Sequence, residues 1–292
     1  PRGARLRHII EEFLRCELES QGYQFVYTPH IAKSDLWKIS GHYEYFLENM
    51  YTMSLDTQEY VLKPMNCPGH ILIYKSVKRS YRELPVRIAE FGTVYRYEKS
   101  GTLHGMLRVR GFTQDDAHIF CRPDQVLDEV VQTLDLAERV LESFGFTGYQ
   151  VNLSVWDPDK AKNYAGSPED WDNAESVLIQ ALNQKGWSYE RFEGEAAFYG
   201  PKIDVSLIDA LGRSWQLSTF QFDFSLPERF KATYVGSDSK DHSVVMIHRA
   251  LLGSLERFVG VLTEHYAGAF PIWLAPIQAI IIPSSEKHHS YA

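Results

Sequence analysis

The sequence predicts an α+β fold built around a mainly antiparallel sheet. Three observations predict it: strand-like runs joined as hairpins, long amphipathic helices set between them, and the lack of internal repeats or low-complexity tracts. At 292 residues the chain can bury one large core, or one domain with a small companion.

The elements follow in order. "LRHIIEEFLRCELESQGY" sets Leu6, Ile9, Ile10, Phe13, Leu14 and Leu18 at helical spacing and stops at Gly22, with Cys16 in its middle as a small buried or half-buried side chain. "YQFVYTPHI" reads as a strand with Pro29 at its end or edge, because proline has no ladder donor. "PVRIAEFGTVYRYE" reads as a strand pair interrupted at Gly92, followed by the loop "KSGTLHGM" and the strand "LRVRGFTQDDAHIFC". Counting by twos puts Gln114, Asp116, His118 and Phe120 on one face of that strand.

Asp124 to Phe144 is an amphipathic helix closed by Gly145, and "YQVNLSV" is a strand. "SPEDWDNAESVLIQALNQKG" is a helix capped by Ser167, acidic in its first turn and stopped by Gly186. Two strands then flank a turn at Gly212. In the second, Leu217, Thr219, Gln221 and Asp223 fall on one face and Gln216, Ser218, Phe220 and Phe222 on the other, so either face suits a site wall. "SVVMIHRALLGSLERFVGVLTEHY" begins as a strand and ends as a helix, with Ser254 as N-cap. After Ala269, "FPIWLAPIQAIIIP" leads into a short strand.

Composition narrows the function. No apolar run approaches the roughly 20 residues of a membrane-spanning helix. A formal net charge of −8 argues against nucleic-acid binding through a broad basic surface. One local strip remains, Lys75, Lys78, Arg79 and Arg82, which a solvated helix face explains better. Three widely spaced cysteines, Cys16, Cys67 and Cys121, form no disulfide framework and suit a reducing, cytoplasmic compartment. The opening "PRGARLRHIIEEFLR" has neither an initiator methionine nor a signal-peptide pattern and reads as the start of a fragment.

Chemistry concentrates in a few places. There is no glycine-rich phosphate loop, so nucleotide phosphates would have to be held by arginines; Arg96, Arg108, Arg110 and Arg257 are available. Gln114, Asp115, Asp116 and His118 would set an acid and an imidazole against a packing face, which is costly without a metal or charged ligand. Cys67, in "KPMNCPGH", and His118 are donors that zinc prefers, with His70 as a rival ligand, although their separation makes no local metal signature.

The runs "LKPMNCPGH", "ELPVRIAEFGTVYRYEKSGTLHGMLRVRGFTQDDAHIFC", "AFYGPKID", "TFQFDFSLPERF" and "VVMIHRALLGSLERF" resemble, in order and over nearly the whole chain, the catalytic core of the threonyl-tRNA synthetase family. The resemblance implies a class II synthetase fold, with the catalytic domain over residues 1–272 and the truncated start of an anticodon-binding domain over 273–292. It also implies a homodimer through motif 1, the first helix and the segment ending at Pro29, with motif 2 from "YRYE" to "RGF" and motif 3 in "GSLERF".

The implied reaction is ATP-dependent activation of threonine, followed by transfer to the 3′ end of threonine tRNA. By resemblance Arg96 holds the α-phosphate and the threonine carboxylate side, Glu98 reads the adenine edge, Phe112 stacks on adenine, and Arg108 and Arg257 grip the γ-phosphate end. Cys67, His118 and His248 match the family's ligands for one zinc per chain, which would bind the threonine amino and hydroxyl groups; Mg²⁺ accompanies ATP. Asp116 would accept the hydroxyl hydrogen bond, Gln114, Tyr199 and Gln221 would orient the amino acid, and Met65 and Thr219 would line its pocket. His42 is implied in deprotonating the terminal ribose hydroxyl of tRNA, and Lys202 in adding charge near the reacting phosphate.

Leu217 stands where many bacterial members carry cysteine, and from its face it is expected to narrow the threonine pocket. Two other readings are a paralogue that activates an amino acid for another acceptor and a catalytically silent binding module.

Overall fold

The computed structural model describes residues 1–209 and 211–291. Its centre is an eight-stranded sheet, in the spatial order Gln24–Phe25, Val86–Tyr95, Gly111–Cys121, Val245–Ser254, Ser214–Asp223, Lys202–Ile208, Gln150–Val155 and Glu190–Glu193. The inner junctions are antiparallel, and only the two outermost pairs run parallel.

Strand alternation divides the molecule into two layers. Ala117, Ile119 and Cys121 join the main core with the helices Arg2–Ser20, Val126–Ser143, Pro168–Lys185 and Leu255–His265, which contribute Leu14, Leu134, Leu178 and Phe258 among others. Phe120 faces the opposite way, into a smaller core with Cys67, Ile71, Tyr74 and Met246. The polar residues of the even-numbered face therefore look into the side of the sheet that the long helices leave open.

Helix ends follow their local chemistry. The Ser167 hydroxyl accepts from the Asp170 amide, and Gly186 closes that helix in the left-handed region. Ser254 accepts from the Arg257 amide, so the strand Val245–Ser254 turns directly into a helix at that residue. The helix expected from Asp124 starts at Val126 instead, because Pro123–Gln125 forms a 3-10 turn.

Other expectations are corrected. Cys16 is exposed, since it lies off the Leu6, Ile10, Leu14, Leu18 stripe. "YQFVYTPHI" supplies only Gln24–Phe25 to the large sheet, while Ile31–Lys33 pairs in a separate three-stranded sheet. Val86–Tyr95 is one unbroken strand. Gly92 is there because a Cβ would stand 2.5 Å from the Asn66 amide.

Leu217 is an extra residue in the ladder: Gln216 pairs with Ser206 and Ser218 with Val205. This β-bulge turns Leu217 into the main core and brings Gln216 onto the Thr219 and Gln221 side, the reverse of simple alternation. Trp273 and Leu274, expected beyond the domain boundary, pack into the main core, and no strand follows them among the described residues.

Gly253 has φ +70°, and a Cβ there would lie 2.5 Å from the Leu217 carbonyl oxygen. Replacement by alanine should cost about 1–3 kcal/mol of strain before any clash is counted. It should also push the backbone of the bulge, whose Gln216 carbonyl accepts from Arg257 Nη1, away from that arginine. The expected outcome for Gly253→Ala is a lower thermal unfolding midpoint.

Candidate active site

Three neighbouring strands make the floor of the site. Their register puts His118 opposite His248, and His248 opposite Gln221. Directly opposed side chains stand about 5 Å apart at Cβ, so residues distant in sequence converge here. His118 Nε2 lies 3.0 Å from His248 Nδ1. Cys67 arrives from above as the first residue of the helix Cys67–Lys75, which carries a proline in its first turn, where no intrahelical donor is lost.

The Cys67, His118 and His248 ligand atoms all lie within 4.8 Å of one another, and all three residues are buried. A tetrahedral ion with ligand bonds of about 2.0–2.3 Å separates its donors by roughly 3.3–3.5 Å, so one thiolate and two imidazoles can close on zinc with small movements. Burial, followed by Asp116 and Asp223, raises the Cys67 thiol well above its usual value. Burial, followed by His248 and His70, holds His118 well below its own. Cys67 and His118 are therefore neutral without a partner, and a dication would displace the thiol proton.

Hydrogen bonds orient both imidazoles. His248 Nε2 donates to Asp223 Oδ2 at 2.6 Å, and Asp223 Oδ1 is fixed by the amides of Ser225 and Leu226 at 2.8 and 2.9 Å. His118 Nδ1 lies 2.7 Å from His70 Nδ1, and His70 Nε2 lies 3.2 Å from Glu90 Oε2. Both nitrogens of His70 are thereby engaged, by His118 Nδ1 and by Glu90, which removes it as a rival ligand.

A cavity of about 510 Å³ opens over this floor, walled by Met65, Arg96, Gln114, Asp116, Tyr199, Lys202, Thr219 and Gln221. Asn66 Nδ2 donates to Asp116 Oδ2 at 2.9 Å, leaving the other carboxylate oxygen without that bond; burial raises the Asp116 pKa. The Tyr199 hydroxyl donates to Gln221 Oε1, and Gln221 Nε2 donates to Thr219 Oγ1 at 3.0 Å. Tyr199 also stacks on His248, with ring centroids 4.6 Å apart. Lys202 donates to Asp204, which accepts from Thr219 Oγ1 at 2.9 Å as well.

A second cavity of about 180 Å³ adjoins the first and is walled by Glu98, Arg108, Phe112 and Arg257, with Arg96, Gln114, Gln216, Thr219 and Gln221 common to both. Arg96 thus stands between the two spaces. Its Nε donates to the Pro64 carbonyl at 3.2 Å, its guanidinium lies 5.2 Å from the Phe112 ring centroid, and desolvation lowers its pKa. Arg257 is held by the carbonyls of Leu107 and Gln216, each at 2.9 Å. Arg108 Nε donates to Glu98 Oε2 at 3.0 Å.

The two cavities gather every site residue that the resemblance implies except His42. That ring is completely buried one layer behind the wall, with Nδ1 2.7 Å from Ser40 Oγ and Nε2 2.9 Å from Met65 Sδ. Burial pulls its pKa down to about 3. The basic strip is largely consumed locally: Lys75 donates to the Phe230 carbonyl, Lys78 lies 3.8 Å from Asp241, and Arg79 lies 3.8 Å from Glu83.

Sequence reasoning missed the supporting residues Glu90, Asp204, Asp223, Asn66 and Gln216. For the four on strands only register could have exposed the role, while Asn66 directly precedes the helix Cys67–Lys75. Asp204, for example, lies opposite Thr219, and Glu90 lies opposite Asp116.

Residues 51–266 match the family profile described as the tRNA synthetase class II core domain (G, H, P, S and T). The chain is 62% identical over 293 residues to the threonine–tRNA ligase of Acidobacterium capsulatum, spanning 100% of this chain and 43% of that protein. It is 56% identical to the chloroplastic/mitochondrial threonine–tRNA ligase 2 of Arabidopsis thaliana, spanning 98% of this chain and 44% of that protein. It spans less than half the length of both relatives.

A crystal structure described as the RNA binding domain of threonyl-tRNA synthetase from Cryptosporidium parvum Iowa II superposes with a TM-score of 0.94 at 45% identity, covering 100% of this chain and 72% of that one. The matched core, the α+β sheet and this coverage together establish that the chain belongs to the threonyl-tRNA synthetase family of class II synthetases.

Proposed function

We propose that the chain carries the activity of a threonine–tRNA ligase, with a zinc ion at Cys67, His118 and His248. The observation that carries this reading is the meeting of that triad with an arginine-lined cavity across Arg96. A buried thiol and two oriented imidazoles favour zinc, and the adjoining arginines suit a polyphosphate that no glycine-rich loop is present to hold. When bound, zinc would supply a Lewis-acidic contact for the amino and hydroxyl groups of threonine.

The chain's own residues do the rest. Asp116 accepts the hydroxyl hydrogen bond of the substrate, Tyr199, Gln221 and Gln114 orient the amino acid, and Met65 and Thr219 bound its side chain. In the adjoining cavity Phe112 stacks on adenine and Glu98 reads its edge, while Arg108 and Arg257 take the γ-phosphate end of ATP, which enters with Mg²⁺.

A threonine carboxylate oxygen attacks the α-phosphorus as the bond to the bridging oxygen breaks, and pyrophosphate leaves. Arg96 and Lys202 stabilise charge that develops on the α-phosphate oxygens. In the transfer step a hydroxyl of the terminal ribose of tRNA attacks the threonyl carbonyl and AMP departs. His42 can act as a base there only once Met65 moves aside.

We assign residues 1–272 to the catalytic domain and 273–292 to the start of an anticodon-binding domain, with Trp273 and Leu274 as the joint packed into the catalytic core. Pairing as a homodimer through motif 1 is supported by the exposure of Tyr27 and Ile31 on that segment. Free cysteines support a reducing compartment, which we take to be the cytoplasm. No described helix is long and apolar enough to cross a membrane.

Threonine-dependent ATP–pyrophosphate exchange tests the reading. Exchange with threonine is the expected result, and its complete absence would favour a silent binding module. Exchange without charging of threonine tRNA by a protein that includes the anticodon-binding domain would favour a paralogue with another acceptor.

A further inference from the structure

A histidine gives one ring nitrogen to a metal, and the partner of its other nitrogen sets which one is free. His248 has the usual kind of partner, the carboxylate of Asp223. His118 does not. Its Nδ1 faces the Nδ1 of a second imidazole, His70, at 2.7 Å.

His70 is fully buried, so the protons along this row are determined by its other end. Its Nε2 meets Glu90 Oε2. Glu90 also accepts from the Thr28 amide at 2.9 Å, the Thr28 hydroxyl at 2.8 Å and Lys63 Nζ at 3.0 Å. Burial alone would raise the Glu90 carboxyl, yet these donors together hold it at about 2, so it is a carboxylate and only accepts.

With His70 neutral, one proton arrangement satisfies both contacts of this row, His118 to His70 and His70 to Glu90. His70 Nε2 carries a proton and donates it to Glu90, which leaves a lone pair on His70 Nδ1. His118 Nδ1 must donate into that lone pair, and the lone pair of His118 is left on Nε2, facing Cys67 and His248. The opposite tautomer of His118 would put two lone pairs against each other either at the two Nδ1 atoms or between His70 Nε2 and Glu90, both in a site closed to water.

We infer that His70, anchored by Glu90, is the positioning residue that sets the tautomer of His118 and so makes its Nε2 a metal ligand. The inference deepens the zinc reading above and rests on it. Cys67 and His70 are three apart on one helix and share its face, so a single turn supplies both the thiolate and the group that orients the imidazole opposite it.

The test is zinc affinity, measured by titrating zinc against a competing chelator in the parent chain and in three variants. His70→Phe removes the acceptor and should weaken zinc binding roughly 10- to 100-fold. His70→Asn places an amide oxygen near the Nδ1 position and should retain most of the affinity. His70→Gln reaches towards Glu90 rather than His118 and should behave like the phenylalanine variant. Thermal unfolding of the metal-free proteins separates affinity from folding, and if the phenylalanine variant does not fold, the contrast between asparagine and glutamine decides.

Equal affinity in all variants, or an asparagine variant as weak as the glutamine one, would overturn the inference. A parent that takes up no zinc, or takes it up equally after Cys67→Ala, would overturn the metal reading itself, and that is visible before any His70 variant is made.

Discussion

Replacing Arg96 with glutamine should lower kcat for threonine-dependent ATP–pyrophosphate exchange by roughly 10²–10³-fold, the size seen when one preorganised donor to a developing charge is removed. Arg96 is the cation common to both cavities, and it is held by a backbone carbonyl and by the Phe112 ring rather than by a carboxylate. Its charge therefore remains available for an anionic ligand, in surroundings that are already desolvated. Charge that grows on the α-phosphate as pyrophosphate departs would meet a group that needs no reorganisation.

Lysine should restore little of that rate. A point charge cannot reproduce a planar fork that contacts a phosphate while stacked on an aromatic ring. The loss should fall on kcat more than on the KM for threonine, because the proposed amino-acid pocket retains Asp116, Tyr199 and Gln221. Zinc uptake should be unchanged. Exchange within about tenfold of the parent would move the phosphate-stabilising role to Arg257 or Lys202.

Much of the fold was legible because its signals are local. Ser167, Gly186 and Ser254 end or begin helices through side-chain or glycine chemistry that a short window contains. The face shared by Gln114, Asp116 and His118 was legible for the same reason, since a strand with no bulge over those residues repeats by twos. Leu217 shows where such counting stops. One extra residue between Gln216 and Ser218 inverts the faces, and the bulge lies against Gly253 of another strand, where a Cβ would meet the Leu217 carbonyl.

The same limit hid Asp223, Asp204 and Glu90. Each acts through a residue on another strand or helix: Asp223 through His248, Asp204 through Thr219 and Lys202, Glu90 through His70. Their effect depends on register, which long-range pairing sets. The Ile280, Ile281 and Ile282 run shows the converse, since a strand-like pattern remains exposed and unpaired where no neighbouring strand is offered.

The second large effect concerns the choice between threonine and valine. In the parent, exchange with threonine should exceed exchange with valine by about 10⁴ or more, because a site built around a hydroxyl leaves its own polar groups unpaired when a methyl takes that place. Asp116 is the clearest such group: it is recessed in the cavity wall, and Asn66 satisfies one of its oxygens. A charged hydrogen bond of this kind is worth about 1.5–3 kcal/mol, which accounts for only part of that ratio, about 5.5 kcal/mol. We assign the remainder to an ion at the buried triad of Cys67, His118 and His248, where the Cys67 thiol and the His118 ring are neutral until an ion draws the thiol proton away. Cys67→Ala should therefore abolish zinc uptake by elemental analysis and reduce the threonine-to-valine ratio to about 10² or less, the range in which apolar pockets separate isosteres. Asp116→Ala should lose roughly 10- to 100-fold of the ratio while still taking up zinc. A Cys67→Ala chain that held no zinc yet kept the parent's preference would place selection in the shape of the pocket formed by Met65 and Thr219, and the triad would then have to serve the fold instead.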